Sequence, residues 1–239
     1  MTPHEPLRGV LGLNRDDKRC LLEGLSHADR IRLEQHWEFW ARPEQLPPAG
    51  DWHTWLICAG RGFGKTRAGA EWVRMIARTD RDARIALVGA SLAEVRRVMV
   101  EGESGILSVS SPTTRPLWEP SVRRLTWQSG AQAFCYSAAE PESLRGPQHG
   151  YAWCDEIAKW DNSSGRAVAA WDNLQMGLRL GERPRALATT TPRAVPLVRR
   201  LLAAEATGDA VVTRGRTYAN AGNLPSRFVR RMWREFGGT

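Results

Sequence analysis

From Trp52 onward, short apolar runs alternate with stretches whose apolar residues recur every three or four positions, and that alternation predicts the elements. Thr54 to Ala59 (TWLICA) is apolar almost throughout, as a strand buried on both faces must be. Gly64 to Arg78 follows as a helix with Ala70, Val73, Ile76 and Ala77 on one face. Arg84 to Ala90 predicts a second strand, Leu92 to Glu101 a helix, and Tyr151 to Cys154 a third strand. Arg166 to Leu180 predicts a helix, Ala186 to Thr190 a strand, Pro196 to Ala204 a helix and Val211 to Thr217 a last strand. Strand followed by helix, repeated, implies a mainly parallel sheet flanked by helices, the α/β class. Between Val122 and Ser137 the period drops to about two around Ser129 and Gly130, which predicts an inserted β-hairpin.

The ends of the chain read differently. Ser26 with Asp29 three residues on has the form of a helix start, and Ile31, Leu33, Trp37 and Trp40 follow at helical spacing. Pro43, Pro47, Pro48 and Gly50 then interrupt the helix. Tyr218 to Pro225 reads as a loop, and Arg227, Arg230, Arg231 and Arg234 mark a basic closing helix. The expected organisation is a helical segment and linker over 1–44, an α/β core over 45–217, and a linker with a basic helix over 218–239.

Length and composition narrow the class. A chain of 239 residues with 42% hydrophobic and 25% charged residues can bury an ordinary core, which excludes global disorder, collagen and coiled coil. Cys20, Cys58, Cys135 and Cys154 are far apart with no C-x-x-C pair, and three of them fall inside apolar runs, as expected for a reduced, cytoplasmic protein with buried thiols rather than a disulfide framework. No apolar run is long enough to cross a bilayer. His4, His27, His36, His53 and His149 show no zinc spacing with the cysteines. The formal charge of +8 favours a polyanionic partner. Because Lys18, Lys65 and Lys159 are the only lysines, the placement of Lys65 carries information.

Lys65 lies in AGRGFGKT, Ala59 to Thr66, between a predicted strand and a predicted helix. Gly60, Gly62 and Gly64 let the amides of Arg61, Phe63 and their neighbours converge on phosphate oxygens, and the helix dipole adds positive charge. Lys65 can reach the β- and γ-phosphates of ATP, and Thr66 can ligate Mg2+. Ala59 stands where the usual pattern has its first glycine. A second motif, YAWCDE (Tyr151 to Glu156), delivers two acids at a strand end: Asp155 suits a magnesium shell, and Glu156 suits polarising a water for attack on the γ-phosphate. A third, LATTTPR (Leu187 to Arg193), ends a strand in Thr189, Thr190 and Thr191, hydroxyls that could respond to the γ-phosphate.

In this order the motifs resemble the N-terminal ATPase domain of the large terminase subunits of tailed bacteriophages. The resemblance spans Gln45 to Asn223 and rests on GRGFGKT, the Arg145-Gly146 step, CDE, TTTP and TYANAGNLP. It implies a RecA-like P-loop fold with an added strand and a catalytic glutamate. It further implies an ATP-driven ring that pumps double-stranded DNA into a procapsid, with a portal protein and a small terminase subunit as partners. By position, Gln45 resembles the glutamine that reads adenine, Arg61 the loop arginine that reaches toward the γ-phosphate, and Arg145 the arginine finger offered to a neighbouring subunit. Full terminases also carry a metal-dependent nuclease half; Glu235 is the only acid after Thr217, so an ATPase without cleavage activity is expected. Two other readings share these motifs: a helicase-type nucleic-acid motor, and an assembly scaffold that binds ATP without hydrolysing it.

Overall fold

The computed structural model describes residues 15–27, 29, 33 and 36–236. They divide into two compact units, one made of residues 48–219 and the other of the described residues before 48 and after 219.

The first unit is built on one eight-stranded sheet. In chain order its strands are β1 (Thr54–Ala59), β2 (Arg84–Gly89), β3 (Leu117–Glu119), β4 (Arg124–Thr126), β5 (Gln132–Ser137), β6 (Tyr151–Cys154), β7 (Arg185–Thr190) and β8 (Ala210–Gly215). The spatial order is β3-β4-β5-β2-β6-β7-β1-β8. The pairs from β5 to β8 are all parallel, and β3 and β4 extend the sheet antiparallel at one edge. β1 lies between β7 and β8, and all six of its residues are buried, as its unbroken apolar run requires.

Helices cover both faces. Alternate strand residues (Leu56, Cys58, Val88, Ala152, Cys154, Ala186, Ala188) pack with Trp171 and Leu174 of α2 (Arg166–Gly177) and with Leu197, Val198 and Leu201 of α3 (Pro196–Thr207). On the opposite face runs α1 (Lys65–Thr79), the helix that follows β1, hereafter the loop helix. It approaches so closely that a Cβ on Gly69 would overlap the indole of the fully buried Trp153. Its Glu71 is buried yet held by two arginines of the same helix, Arg67 and Arg74, each at 2.7 Å.

Several boundaries depart from expectation for visible reasons. The predicted hairpin is present, β4 pairing antiparallel with β5, but it is also part of the main sheet: β5 pairs with β2 over its whole length, and a further strand, β3, flanks β4. The helix predicted over Leu92 to Glu101 begins as one α-turn, Leu92–Glu94, then widens to a π-turn, Val95–Val100. α2 stops at Gly177 because Leu178 bridges to His149 and Pro147 O would lie 2.7 Å from a Cβ there. The last strand ends at Gly215, and Thr217–Asn223 forms 3-10 turns where a loop is expected.

In the other unit, Arg15–Glu23 and Trp37–Trp40 are helical, Pro43–Gln45 is a 3-10 turn, and α4 (Ser226–Phe236) closes the chain. Arg42 donates to Asn220 Oδ1 at 2.7 Å, and Lys18 lies 5.7 Å over the Phe39 ring. The expected helix start is present, with Asp29 N–H donating to Ser26 Oγ at 3.2 Å. The run Ile31 to Gln35 lies largely outside the described residues.

Candidate nucleotide site

β1, β6 and β7 end at the same edge of the sheet, and their exits bring the three motifs together. Gly62 and Gly64 have φ of 76° and 92°, so the bend between β1 and the loop helix needs residues free of a Cβ. The bend rests on β8: Gly60 N–H donates to Gly215 O at 3.0 Å, and the buried Phe63 ring occupies the place where a Cβ on Gly215 would be. Gly60 is itself confined, since its Cβ would stand 2.5 Å from Thr217 Oγ1. Arg61 is exposed on the bend, and Thr66 is half-buried in the first turn of the loop helix.

Lys65 is the hub. Its side chain is only 7% exposed, and Nζ donates to Ala59 O at 3.0 Å, Gly60 O at 3.2 Å and Thr191 Oγ1 at 3.3 Å while pairing with Glu156 Oε1 at 3.2 Å. Glu156 has φ 46° and ψ 54°, a left-handed conformation that costs a residue with a Cβ roughly 1 kcal/mol or more. Hydrogen bonds hold it there: Glu156 N–H donates to Thr189 Oγ1 at 3.1 Å, and Lys159 N–H donates to Glu156 O at 2.7 Å. Its carboxylate receives the Thr191 N–H at 3.1 Å and the Thr191 hydroxyl at 3.2 Å. Burial would raise its pKa, but Lys65 and the Thr191 donors outweigh burial and hold it below the usual value, so Glu156 is a carboxylate at neutral pH.

Asp155, one residue earlier, points into a drier place. It is 8% exposed, and Thr189 Oγ1 donates to its Oδ1 at 2.7 Å. Burial pushes its carboxyl up to about 6, with Glu156 adding to the rise and the Thr189 bond and Lys65 opposing it. Two adjacent acids thus differ in character, and the tertiary environment alone separates them.

The pH dependence follows. Between its ordinary value of 3.8 and about 6, folded Asp155 keeps a proton that the unfolded chain has lost, so its contribution to stability falls as pH rises through that window. The total is about 3 kcal/mol. Asp155→Asn is therefore expected to melt higher than the unmodified chain at pH 8, in chelator and without nucleotide, and to show no such gain at pH 4. Equal shifts at both pH values would mean that the carboxyl is not desolvated.

The three threonines are not equivalent. Thr189 and Thr190 are fully buried; Thr189 braces Asp155 and Glu156, and Thr190 accepts the Ala158 N–H at 3.3 Å. Thr191, half-buried, is the one that reaches both Lys65 and Glu156.

Two further expected residues have neighbours of their own. Arg145 follows the 3-10 turn Pro141–Leu144, is 67% exposed and pairs with Glu142 at 2.9 Å. Gln45 belongs to the other unit, where its Oε1 accepts the Arg42 N–H at 3.2 Å. Conversely, the pattern of the sequence does not single out Gly215, whose lack of a Cβ seats the bend. The tertiary contact with Phe63 reveals it.

Residues 56–235 match the family model described as terminase large subunit, T4likevirus-type, N-terminal. The chain belongs to this terminase family. No curated protein sequence matches it. The fold of the terminase domain is similar to that of the large terminase of a thermophilic bacteriophage, with TM-score 0.62 and 13% identity over 85% of this chain and 48% of that one. It is likewise similar to the large terminase ATPase domain of Thermus phage P74-26, with TM-score 0.55 and 14% identity over 75% of this chain and 82% of that one. The N-terminal domain of the DNA packaging ATPase of bacteriophage phi29 also matches, with TM-score 0.51 and 17% identity over 69% of this chain and 90% of that one. The matched region is thus about half of the first of these terminases. That thermophilic-phage terminase has also been determined with ADP and with ATP-gamma-S.

Proposed function

We propose that this domain hydrolyses ATP to drive double-stranded DNA into a procapsid, working in a ring of copies on a portal protein with a small terminase subunit as partner. One observation carries the reading: the Lys65 ammonium and the Glu156 carboxylate meet 3.2 Å apart at the glycine-rich bend, with a desolvated Asp155 beside them. Family membership and the nucleotides bound to the thermophilic-phage relative support it.

In this reading the bend from Gly60 to Thr66 cradles the triphosphate, with its amides and Lys65 facing the β- and γ-phosphates. Glu156, ionised at neutral pH, orients a water and takes its proton as the phosphorus–oxygen bond breaks. The oxygen donors for Mg2+ fit: the Thr66 hydroxyl opens the loop helix, and a carboxyl whose charged form is disfavoured by burial is one that a neighbouring cation would stabilise. When bound, the ion would supply neutralisation of the charge on the phosphate oxygens. Thr191, touching both Lys65 and Glu156, is placed to register loss of the γ-phosphate and pass it to the β7 exit. Arg61 and, from a neighbouring subunit, Arg145 would complete the charge around the γ-phosphate.

The test is ATP turnover per chain as a function of protein concentration, with and without DNA. A motor whose site is completed by its neighbour gains specific activity as it assembles, whereas a nucleotide-binding scaffold stays silent throughout. Mixing Arg145→Ala with Lys65→Ala chains, each inactive alone, is expected to restore partial turnover, because a mixed interface can pair an intact bend with an intact Arg145. Absence of rescue in an assembled mixture would mean that Arg145 does not act between subunits.

A further inference from the structure

The arginines of α4 take no part in the nucleotide chemistry, and their arrangement calls for a physical reason. At about 100° of rotation per residue, Arg227, Arg230, Arg231 and Arg234 fall on one stripe about 100° wide. Phe228, Val229 and Met232 occupy the opposite side and are half-buried, so the packing of the helix turns the stripe toward water. Arg231 pairs with Glu235 at 2.9 Å; Arg227, Arg230 and Arg234 are exposed and, among the described residues, have no acidic partner.

Left to itself, the arrangement is unfavourable for a helix. The pairs 227 with 230, 227 with 231, 230 with 234, and 231 with 234 are all like-charged at helical contact spacing. Arg227 also lies in the first turn, where the dipole disfavours a cation. An ordinary solvated face interleaves acids with bases, as α4 itself does once, with Glu235 beside Arg231. A stripe that forgoes such pairing is stabilised when an external array of anions supplies the missing charge.

We propose that this stripe is a docking surface for the phosphate backbone of double-stranded DNA. The choice of DNA as the polyanion rests on the packaging reading above; the surface itself rests on the charge arrangement of α4. Arg227 to Arg234 spans about 10 Å along the axis, enough to meet two or three consecutive phosphates of one strand. Guanidinium groups grip phosphate oxygens in bidentate fashion. Contacts made to phosphates carry no base information, so a stripe that engages only the backbone binds independently of sequence, as a translocated substrate demands.

The experiment is fluorescence anisotropy of a labelled duplex of about 30 base pairs, without nucleotide, across a salt series. Each phosphate neutralised contributes about 0.9 to the slope of log affinity against log salt. Replacing Arg227, Arg230 and Arg234 together with Ala is expected to lower that slope by about 2 to 3 and to weaken binding roughly 10- to 100-fold at low salt. The three single Gln variants should each lower the slope by about 1, and the triple Lys variant should keep it. An unchanged slope in the triple and single variants overturns the proposal. So does a loss confined to single-stranded RNA or an acidic peptide while duplex binding persists. Lys65→Ala serves as the separating control: it stops turnover and should leave the salt slope intact, so failure of the surface and failure of the motor reading give different results.

Discussion

Glu156→Gln is expected to lower ATP turnover by about 10³-fold while fluorescent nucleotide still binds. The substitution isolates the charge. Gln keeps the length of the side chain and can still accept from the Thr191 N–H and hydroxyl, and it occupies the same left-handed backbone position at the same cost. What it loses is the carboxylate that Lys65 and Thr191 hold ionised below the usual pKa. A group that takes a proton from attacking water contributes roughly 10² to 10⁴ in rate, and the neutral amide cannot take one. Binding depends on the bend amides and on Lys65, which retains Ala59 O, Gly60 O and Thr191 Oγ1 as partners. Two assays decide the matter: phosphate release under saturating ATP, and anisotropy of a labelled nucleotide. Turnover within threefold of the unmodified chain would move the base to another residue.

The second large effect comes from a residue about 150 positions from the glycine-rich motif. Gly215→Ala would drive a methyl group into the edge of the Phe63 ring, which is completely buried. Something must shift, and the choices are poor. Phe63 has no room in the core, and β8 is held to β1 by parallel pairing along its whole length, Thr54 with Ala210 through Ala59 with Gly215. The strain falls on the bend that Phe63 anchors and that Gly60 ties to Gly215 O. Overpacking of this kind costs about 2 kcal/mol, which in a domain of this size lowers the melting temperature by roughly 4–8 °C. Nucleotide affinity should fall about tenfold or more, because the amides no longer converge. Adding Phe63→Leu to Gly215→Ala should recover much of both losses by making space. Gly222→Ala, at a site with nothing within 4 Å of the added Cβ and an ordinary φ, is the neutral comparison. Normal melting and binding in Gly215→Ala would mean that Phe63 does not pack over β8 as described.

These two predictions differ in how far the sequence foretells them. Glu156 is legible because its context is local: an apolar strand of four residues ends in two acids, downstream of a glycine-rich bend with its own strand and helix. The split between the acids is not legible. Asp155 and Glu156 are adjacent and similar in the sequence, yet burial raises one pKa while Lys65 and Thr191 lower the other. TTTP likewise reads as three alike hydroxyls, whereas β7 buries Thr189 and Thr190 and leaves Thr191 at the exit, facing Lys65. The hairpin of β4 and β5 is legible from its period and its Ser129-Gly130 turn, but the second partner of β5 is not. The alternating burial of β5 is that of a strand near a sheet edge, and nothing local reveals that its other neighbour is β2, in parallel.

Arg145 and Gln45 mark the boundary from the other direction. A motif position can be matched by spacing, but what a side chain touches within one chain is a tertiary matter: Arg145 is exposed beside Glu142, a solvent-screened pair that leaves the guanidinium open to another partner, and the Gln45 amide oxygen accepts from its own turn. Spacing constrains which residues could meet a ligand; it does not give their neighbours within the chain.

What the amino-acid order determined here is the set of elements and the chemistry at their ends. Apolar runs of strand length, helical periodicity and glycine placement act over a few residues, and through them the chain specifies a parallel α/β core with Lys65, Asp155, Glu156 and the threonines at strand exits. What only the tertiary structure decided is the strand order that seats the bend on Gly215, the dryness that sets Asp155 apart from Glu156, and the outward turn of the α4 arginines. Those depend on which surfaces are buried against which. That choice is made by packing summed over the whole unit, and no local stretch of sequence carries it.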